Sequence, residues 1–227
     1  LCEKDKPLHN IPITYSLFEN YVSGVIGERK QVVEFAKGLI IQLAALYSYD
    51  EVKFVFLFDK EEEDKFGFVK WLPHVWSDDN KFRFIATNAN EVKELSAYFE
   101  RVIENREQIN DADMEDVKPY FIFFSMSKTL AVRAEMMKKV LAKKENIHMS
   151  IVTFYDELRS LPKECSMVVE LDGASGKLFD KNDISGKITE FTPDINLSQD
   201  PMELSVALAN TSLDTTATNF QLPGMIT

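Results

Sequence analysis

At 227 residues and 45% hydrophobic, the chain is long enough to bury a real core, as one large domain or one domain plus extensions. A formal net charge of −11 argues against a nucleic-acid groove, which needs a basic patch to displace counterions, and against docking on an anionic membrane surface. Cys2 and Cys165 fit no metal-site spacing and suit a reducing compartment, and no apolar run reaches the roughly 20 residues that span a bilayer.

In chain order the pattern alternates strand and helix, which is the signature of an α/β fold with a mostly parallel sheet and helices on both faces. The apolar stretch Tyr21 to Ile26 leads into Val32, Val33, Ala36, Leu39, Ile40, Leu43 and Leu46, whose spacing predicts a helix over 28–47. Lys53 to Phe58 has strand length and is closed by Asp59; Glu61 to Asp64 then reads as a solvated charged turn. Phe82 to Ala86 predicts a short strand, and Val92, Leu95, Phe99, Val102 and Ile103 mark a second amphipathic helix. Asn110 to Asp116 is an acidic stretch, either a solvated loop or a cation site, although it does not fit the Ca²⁺-loop pattern.

Tyr120 to Phe124 is the most apolar strand of the chain, and a third helix is expected over 127–144. Ile147 to Phe154 and Ser166 to Leu171 predict two more strands. After the Gly173/Gly176 turn, residues 176–179 and 187–191 predict a C-terminal hairpin. The domain is therefore drawn over 1–197. Residues 198–227, without Lys or Arg, read as a linker toward a following module, in which Met202 to Asn210 forms a short helix. A start at Leu1 rather than Met is what a soluble piece of a longer, membrane-anchored protein would show.

Residues Tyr21 to Gln31 look like a phosphate-binding loop that has lost the parts that bind phosphate. Against G-x-x-x-x-G-K-[ST], Gly24 and Lys30 fall on the first glycine and the lysine, and Gly27 lies between them. Arg29 stands at the second glycine, where a side chain crowds the cradle of backbone N–H groups. Gln31 stands where a hydroxyl would hold Mg²⁺. The plainer reading is one of the many strand–Gly-x-x-Gly–helix junctions of α/β proteins. Lys30 is then a surface lysine rather than an anion contact, and Arg29 is a candidate to fill an empty phosphate site with its own guanidinium.

A second defect is independent of the first. A Mg²⁺-binding acid should end a later strand, but Tyr120 to Phe124 runs into Ser125-Met126-Ser127. Asp59 ends a different strand and reads as a turn residue. His9, His74 and His148 are scattered, and Ser125 and Ser127 lack the elbow of a nucleophile. Neither a metal nor a cofactor is expected.

The most specific segment is Val69-Lys-Trp-Leu-Pro-His-Val-Trp76. On its own terms, Trp71 and Trp76 bracket a Pro-His turn that clamps an irregular connection against the sheet. Trp71-Leu72-Pro73-His74 closely resembles the Trp-Leu-Pro-His motif of the membrane-bound FtsK/SpoIIIE-type ATPases of type VII secretion systems, the EssC/EccC family. Ile11 to Thr14 is similar to the short strand that opens the domain, Gly24 to Gly27 to its degenerate loop, Gln42 to Leu46 to the helix end, and Phe220 to Thr227 to the lead-in to the first ATPase module.

The resemblance implies a RecA-like P-loop NTPase fold in the degenerate domain between the membrane segment and the first ATPase module. It places that domain at the cytoplasmic face of the bacterial cell membrane. It implies partners in the other modules of the same chain and the membrane subunits of a hexameric motor exporting WXG100- or LXG-type proteins. The Walker positions fall on Gln31 and near Ser125, so the expectation is a pseudo-ATPase domain without nucleic acid. Two other readings stay open: a domain that binds ATP or turns it over weakly, with Arg29 swung away, and a DNA translocase module, against which the charge argues.

Overall fold

A computed structural model of the chain describes residues 11–109, 114, 117–194 and 199–212. Cys2, His9, most of the 110–116 stretch and the tail from Leu213 lie outside the described residues. Among the described residues eight strands are formed: β1 (Val22–Gly27), β2 (Val52–Leu57), β3 (Ile85–Ala86), β4 (Tyr120–Ser125), β5 (Met149–Tyr155), β6 (Met167–Asp172), β7 (Ser175–Asp180) and β8 (Ile188–Phe191). They make one sheet in the order β3-β2-β4-β5-β1-β6-β7-β8. Pairing is parallel from β3 to β6 and antiparallel across β6, β7 and β8, so the expected α/β architecture and its C-terminal hairpin are both present.

The central strands are apolar on both faces because both faces are covered. In β2, Phe54 and Phe56 face the core under helix α1 (Arg29–Leu46), whereas Val55 and Leu57 face the core under helix α3 (Ala89–Arg106). The alternation follows from the two-residue period of a strand. Asn88 starts α3 by accepting hydrogen bonds from the N–H groups of Asn90 (3.0 Å) and Glu91 (3.1 Å).

Some elements depart from expectation, and one extends it. The helix expected over 127–144 is two helices, α4 (Lys128–Arg133) and α5 (Glu135–Leu141). Between them Ala134 is extended (φ −82°, ψ 99°) and fully buried, and the break turns Met136, Met137 and Val140 into the core beneath α3. No Gly or Pro signals it, because packing decides it. Ile11 to Thr14 is irregular rather than a strand, and Ile11 and Ile13 are exposed. Finally, the helix within the expected linker, α6 (Pro201–Ala209), packs on residues 67–71 and α1, with Leu204 and Leu208 against the core. Contact with the domain therefore continues beyond residue 197.

Two adjacent strands set the place of any site. From β1 the chain leaves over the face of Val25 into α1. From β5 it leaves over the opposite face, where Leu161 packs with Val22 and Ile26. Neighbouring parallel strands that send their connections to opposite faces open a crevice beyond their carboxyl ends. At its rim Gly27 has φ +146°, and a Cβ there would sit 2.6 Å from the Leu171 carbonyl oxygen. Replacing Gly27 with Ala should cost about 1–3 kcal/mol, read as a lower urea midpoint at unchanged m-value.

Candidate functional site

The crevice is built around one side chain, Arg29. Its Nη1 donates to the Phe154 carbonyl near the end of β5 (2.9 Å), and Nη2 donates to the Met126 carbonyl just past β4 (3.1 Å). Its Nε donates to Glu62 Oε1 (2.9 Å), and Nη2 also pairs with Glu62 Oε2, making a forked ion pair. Lys65 adds a second cation 3.2 Å from Glu62 Oε1. Burial pushes the Glu62 carboxyl up, but the Arg29 and Lys65 hydrogen bonds and charges outweigh it and hold the group below the usual carboxylate range.

Glu62 is not in a solvated turn, as its neighbours Glu61 to Asp64 had implied. The segment winds into a short 3₁₀ turn (Lys60–Glu62) and a one-turn helix, α2 (Glu63–Phe66). Phe66 and Phe68 are buried in the core and draw the acidic stretch down onto the domain.

The strand–helix junction has no loop. Only Glu28 separates β1 from α1. Gly24 does not open a cradle; it lies inside β1, paired with Thr153 of β5 and Val168 of β6, and Gly27 is paired with Leu171. Gly24 is small because Leu161 lies across it: a Cβ would come 2.6 Å from Leu161 Cδ2. Gln31 Nε2 donates to the Gly173 carbonyl (3.1 Å), tying α1 to the β6–β7 turn. Lys30 is exposed on the first turn of α1, beside a shallow cavity of about 270 Å³ also lined by Arg29, Lys37 and Lys65.

At the end of β4, Ser125 is fully buried and its hydroxyl is 2.8 Å from that of Tyr155, which burial pushes up to about 12. Ser127 donates to Asp59 Oδ1 (2.9 Å) and accepts from the Leu130 N–H (3.2 Å), so it caps α4. Among the described residues no group of His, Cys, Asp and Glu is placed to hold a metal ion. The backbone of this junction is paired within the sheet, and a guanidinium with its own counter-ion lies in the crevice.

The Trp-Leu-Pro-His segment lies elsewhere, along the flank of β2. Leu72, His74 and Val75 are buried and Trp76 packs partly buried against the core, but Trp71 is 52% exposed, so of the two tryptophans only Trp76 takes part in the clamp. His74 stacks on Phe54 (centroids 4.7 Å apart), and its Nε2 is 2.8 Å from the Tyr47 carbonyl at the end of α1. A carbonyl only accepts, so Nε2 carries the proton and the buried Nδ1 is left without a partner. Burial holds the His74 pKa below its ordinary value.

Glu62 and Tyr155 are the site residues that motif reading missed. Their partners Arg29 and Ser125 are 33 and 30 positions away, a distance at which no local pattern operates. Arg106 was missed too. It is buried at the opposite edge of the sheet, donating to the carbonyls of Pro119, Ile147 (2.9 Å) and His148 (2.6 Å), a bracing role.

No family model matches the chain. The ESX secretion system protein YukB of Bacillus subtilis (strain 168) is 26% identical over 169 residues, covering 72% of this chain and 11% of that protein. The type VII secretion system protein EssC of Staphylococcus aureus (strain NCTC 8325 / PS 47) is 22% identical over 191 residues, covering 82% of this chain and 13% of EssC. Its relatives are the EssC, EccC and YukB proteins of type VII secretion. The chain spans about a tenth of the length of these relatives. A solved structure of ATPases 2 and 3 of Thermomonospora curvata EccC, in complex with a signal sequence peptide, superposes with a TM-score of 0.63 at 14% identity, covering 91% of this chain and 44% of that one. The fold is thus shared with the EccC ATPase modules, in line with the α/β architecture expected from the sequence.

Two measurements bear on this geometry. Arg29→Ala strands a half-buried carboxylate and should cost about 2–3 kcal/mol, less than a fully buried pair would. In a double-mutant cycle with Glu62→Gln the coupling should be at least about 1 kcal/mol. His74 supplies a pH signature. With a folded pKa below the unfolded value of roughly 6.5, it contributes nothing adverse above that pH. As pH falls below it the unfolded chain takes up a proton that the folded one resists, and stability drops by up to about 1 kcal/mol between pH 7 and 5.5. His74→Gln, which keeps a donor for Tyr47, should flatten that part of the slope in urea titrations.

Proposed function

We propose that this is a non-hydrolysing ATPase-like domain of a type VII secretion motor, acting at the cytoplasmic face of the membrane through contacts with other modules of the motor and with membrane subunits. The observation that carries the reading is the Arg29 guanidinium, fixed between the carboxyl ends of β4 and β5 and matched by Glu62. A phosphate arriving there would have to displace four hydrogen bonds and then meet Glu62. The end of β4 supplies Ser125 where the Mg²⁺ acid of an active module would stand. The division into a domain over 1–197 and a linker from 198 belongs to the same reading, with α6 as the part of that linker that docks. What such a domain keeps is the shape that neighbouring modules and subunits recognise, in a motor that exports WXG100- or LXG-type proteins.

The reading in which ATP binds as a structural ligand makes the opposite prediction. Calorimetric titration of the purified chain with ATP and ADP, with and without Mg²⁺, should give no saturable heat at millimolar nucleotide, and no thermal shift. Saturable binding that Lys30→Ala abolishes would sink the pseudo-ATPase reading. The double change Arg29→Gly, Gln31→Ser should not create a site, because a single residue still joins β1 to α1.

A further inference from the structure

At the edge of the sheet opposite Arg29, a cleft of about 420 Å³ opens beside the amino end of β2. Tyr49, Trp71 and Trp76 supply its rings, Asp50 and Asp78 its carboxylates, and Lys53 a buried ammonium; the end of α6 closes one side. Trp71 is 52% exposed, although an indole is among the side chains that gain most from burial.

Cations already lie against two of the cleft's rings. The Arg83 guanidinium lies 4.3 Å from the Trp76 ring centroid, and the Lys53 ammonium lies 5.7 Å from that of Tyr49. Charge decides which sign of ligand the remaining surface suits. Lys53 is matched by Asp78, 3.4 Å away. Asp50 accepts from the Ser48 hydroxyl and joins no ion pair among the described residues. Asp50 is therefore the carboxylate of the cleft left to meet an incoming cation, on a chain whose net charge is −11. Beside the cleft, Met202, Val206 and Ala209 stand one turn apart along an exposed apolar stripe of α6, and Ala209 lines the cleft itself.

We propose that this cleft receives an arginine side chain from a basic segment of a protein partner. The guanidinium stacks on Trp71 beside Asp50, and the segment's flanking apolar residues lie on the α6 stripe. Arginine suits the cleft better than lysine because a planar guanidinium can stack on an indole while donating in a fork to a carboxylate. A polypeptide suits it better than a free amine because the stripe extends the contact beyond the cleft. None of the crevice residues around Arg29 lines this cleft, so the inference stands or falls apart from the pseudo-ATPase reading.

Trp71 and Trp76 are the only tryptophans of the chain, so its intrinsic fluorescence reports on this cleft. Titration with a short amidated peptide carrying one arginine flanked by leucines should shift the emission saturably. The same peptide with citrulline in place of arginine should bind at least roughly threefold more weakly. Asp50→Asn and Trp71→Leu, both exposed changes that should leave the thermal melt in place, should weaken the arginine peptide to a similar extent by calorimetry. Equal affinity for the citrulline peptide, or full affinity in either variant, would overturn the assignment of a guanidinium site. Absence of a saturable shift at millimolar peptide would overturn the site itself.

Discussion

The carboxyl edge of the sheet depends on one cation. Where β4 and β5 end, the Met126 and Phe154 carbonyls point into a crevice that also faces the amino end of α1. Carbonyl oxygens welcome a positive charge there, but the helix end does not: a cation beside a helix N-terminus is disfavoured by roughly 0.3–1 kcal/mol. Glu62 resolves the conflict by neutralising Arg29 through a fork of hydrogen bonds. That in turn requires the Lys60–Trp71 segment to lie against the domain, which burial of Phe66 and Phe68 secures. The same segment runs on into Leu72 and His74. The filled crevice and the buried part of the Trp-Leu-Pro-His segment therefore belong to one continuous piece of packing.

The fold was legible for a simple reason. Strands buried on both faces must be apolar at every position, and runs such as Tyr120 to Phe124 announce them without any partner information. Helix α1 was equally plain, since its buried residues recur at helical spacing from Val32 to Ala44. What the pattern does not encode is how elements stop when packing rather than chemistry stops them. Ala134 is among the best helix formers, yet it sits extended between α4 and α5 because the chain must turn onto α3. Ile11 and Ile13 alternate as a strand would, but they lie outside the sheet.

The site was legible in part, and the error is instructive. Letter spacing set Gly24 at the start of a phosphate loop, whereas β1 continues as a paired strand through Gly27 and leaves no residues for one. Gly24 owes its size to Leu161 on the opposite connection, a contact across 137 positions that a motif cannot contain. Arg29 was recognisable as an obstruction at its position. Its counter-ion was not, because an acidic run such as Glu61 to Asp64 looks alike whether it is solvated or draws one carboxylate inward.

The two edges of the sheet end up in contrasting physical states. At the carboxyl edge the Arg29 guanidinium is matched internally, so an incoming anion would have to compete with bonds already made. At the amino edge beside β2, His74 is sealed in while Trp71 is left half in solvent. A buried His with a bare Nδ1 and an exposed indole each cost free energy, and they lie three residues apart. The first is offset locally by the stack on Phe54 and the bond to Tyr47. The second leaves apolar surface open, and an exposed aromatic surface beside an apolar helix stripe is the ordinary physical mark of a contact made with another chain. On the proposed reading, a domain of this kind loses nothing by closing its nucleotide edge, since the surface that remains open is one suited to proteins.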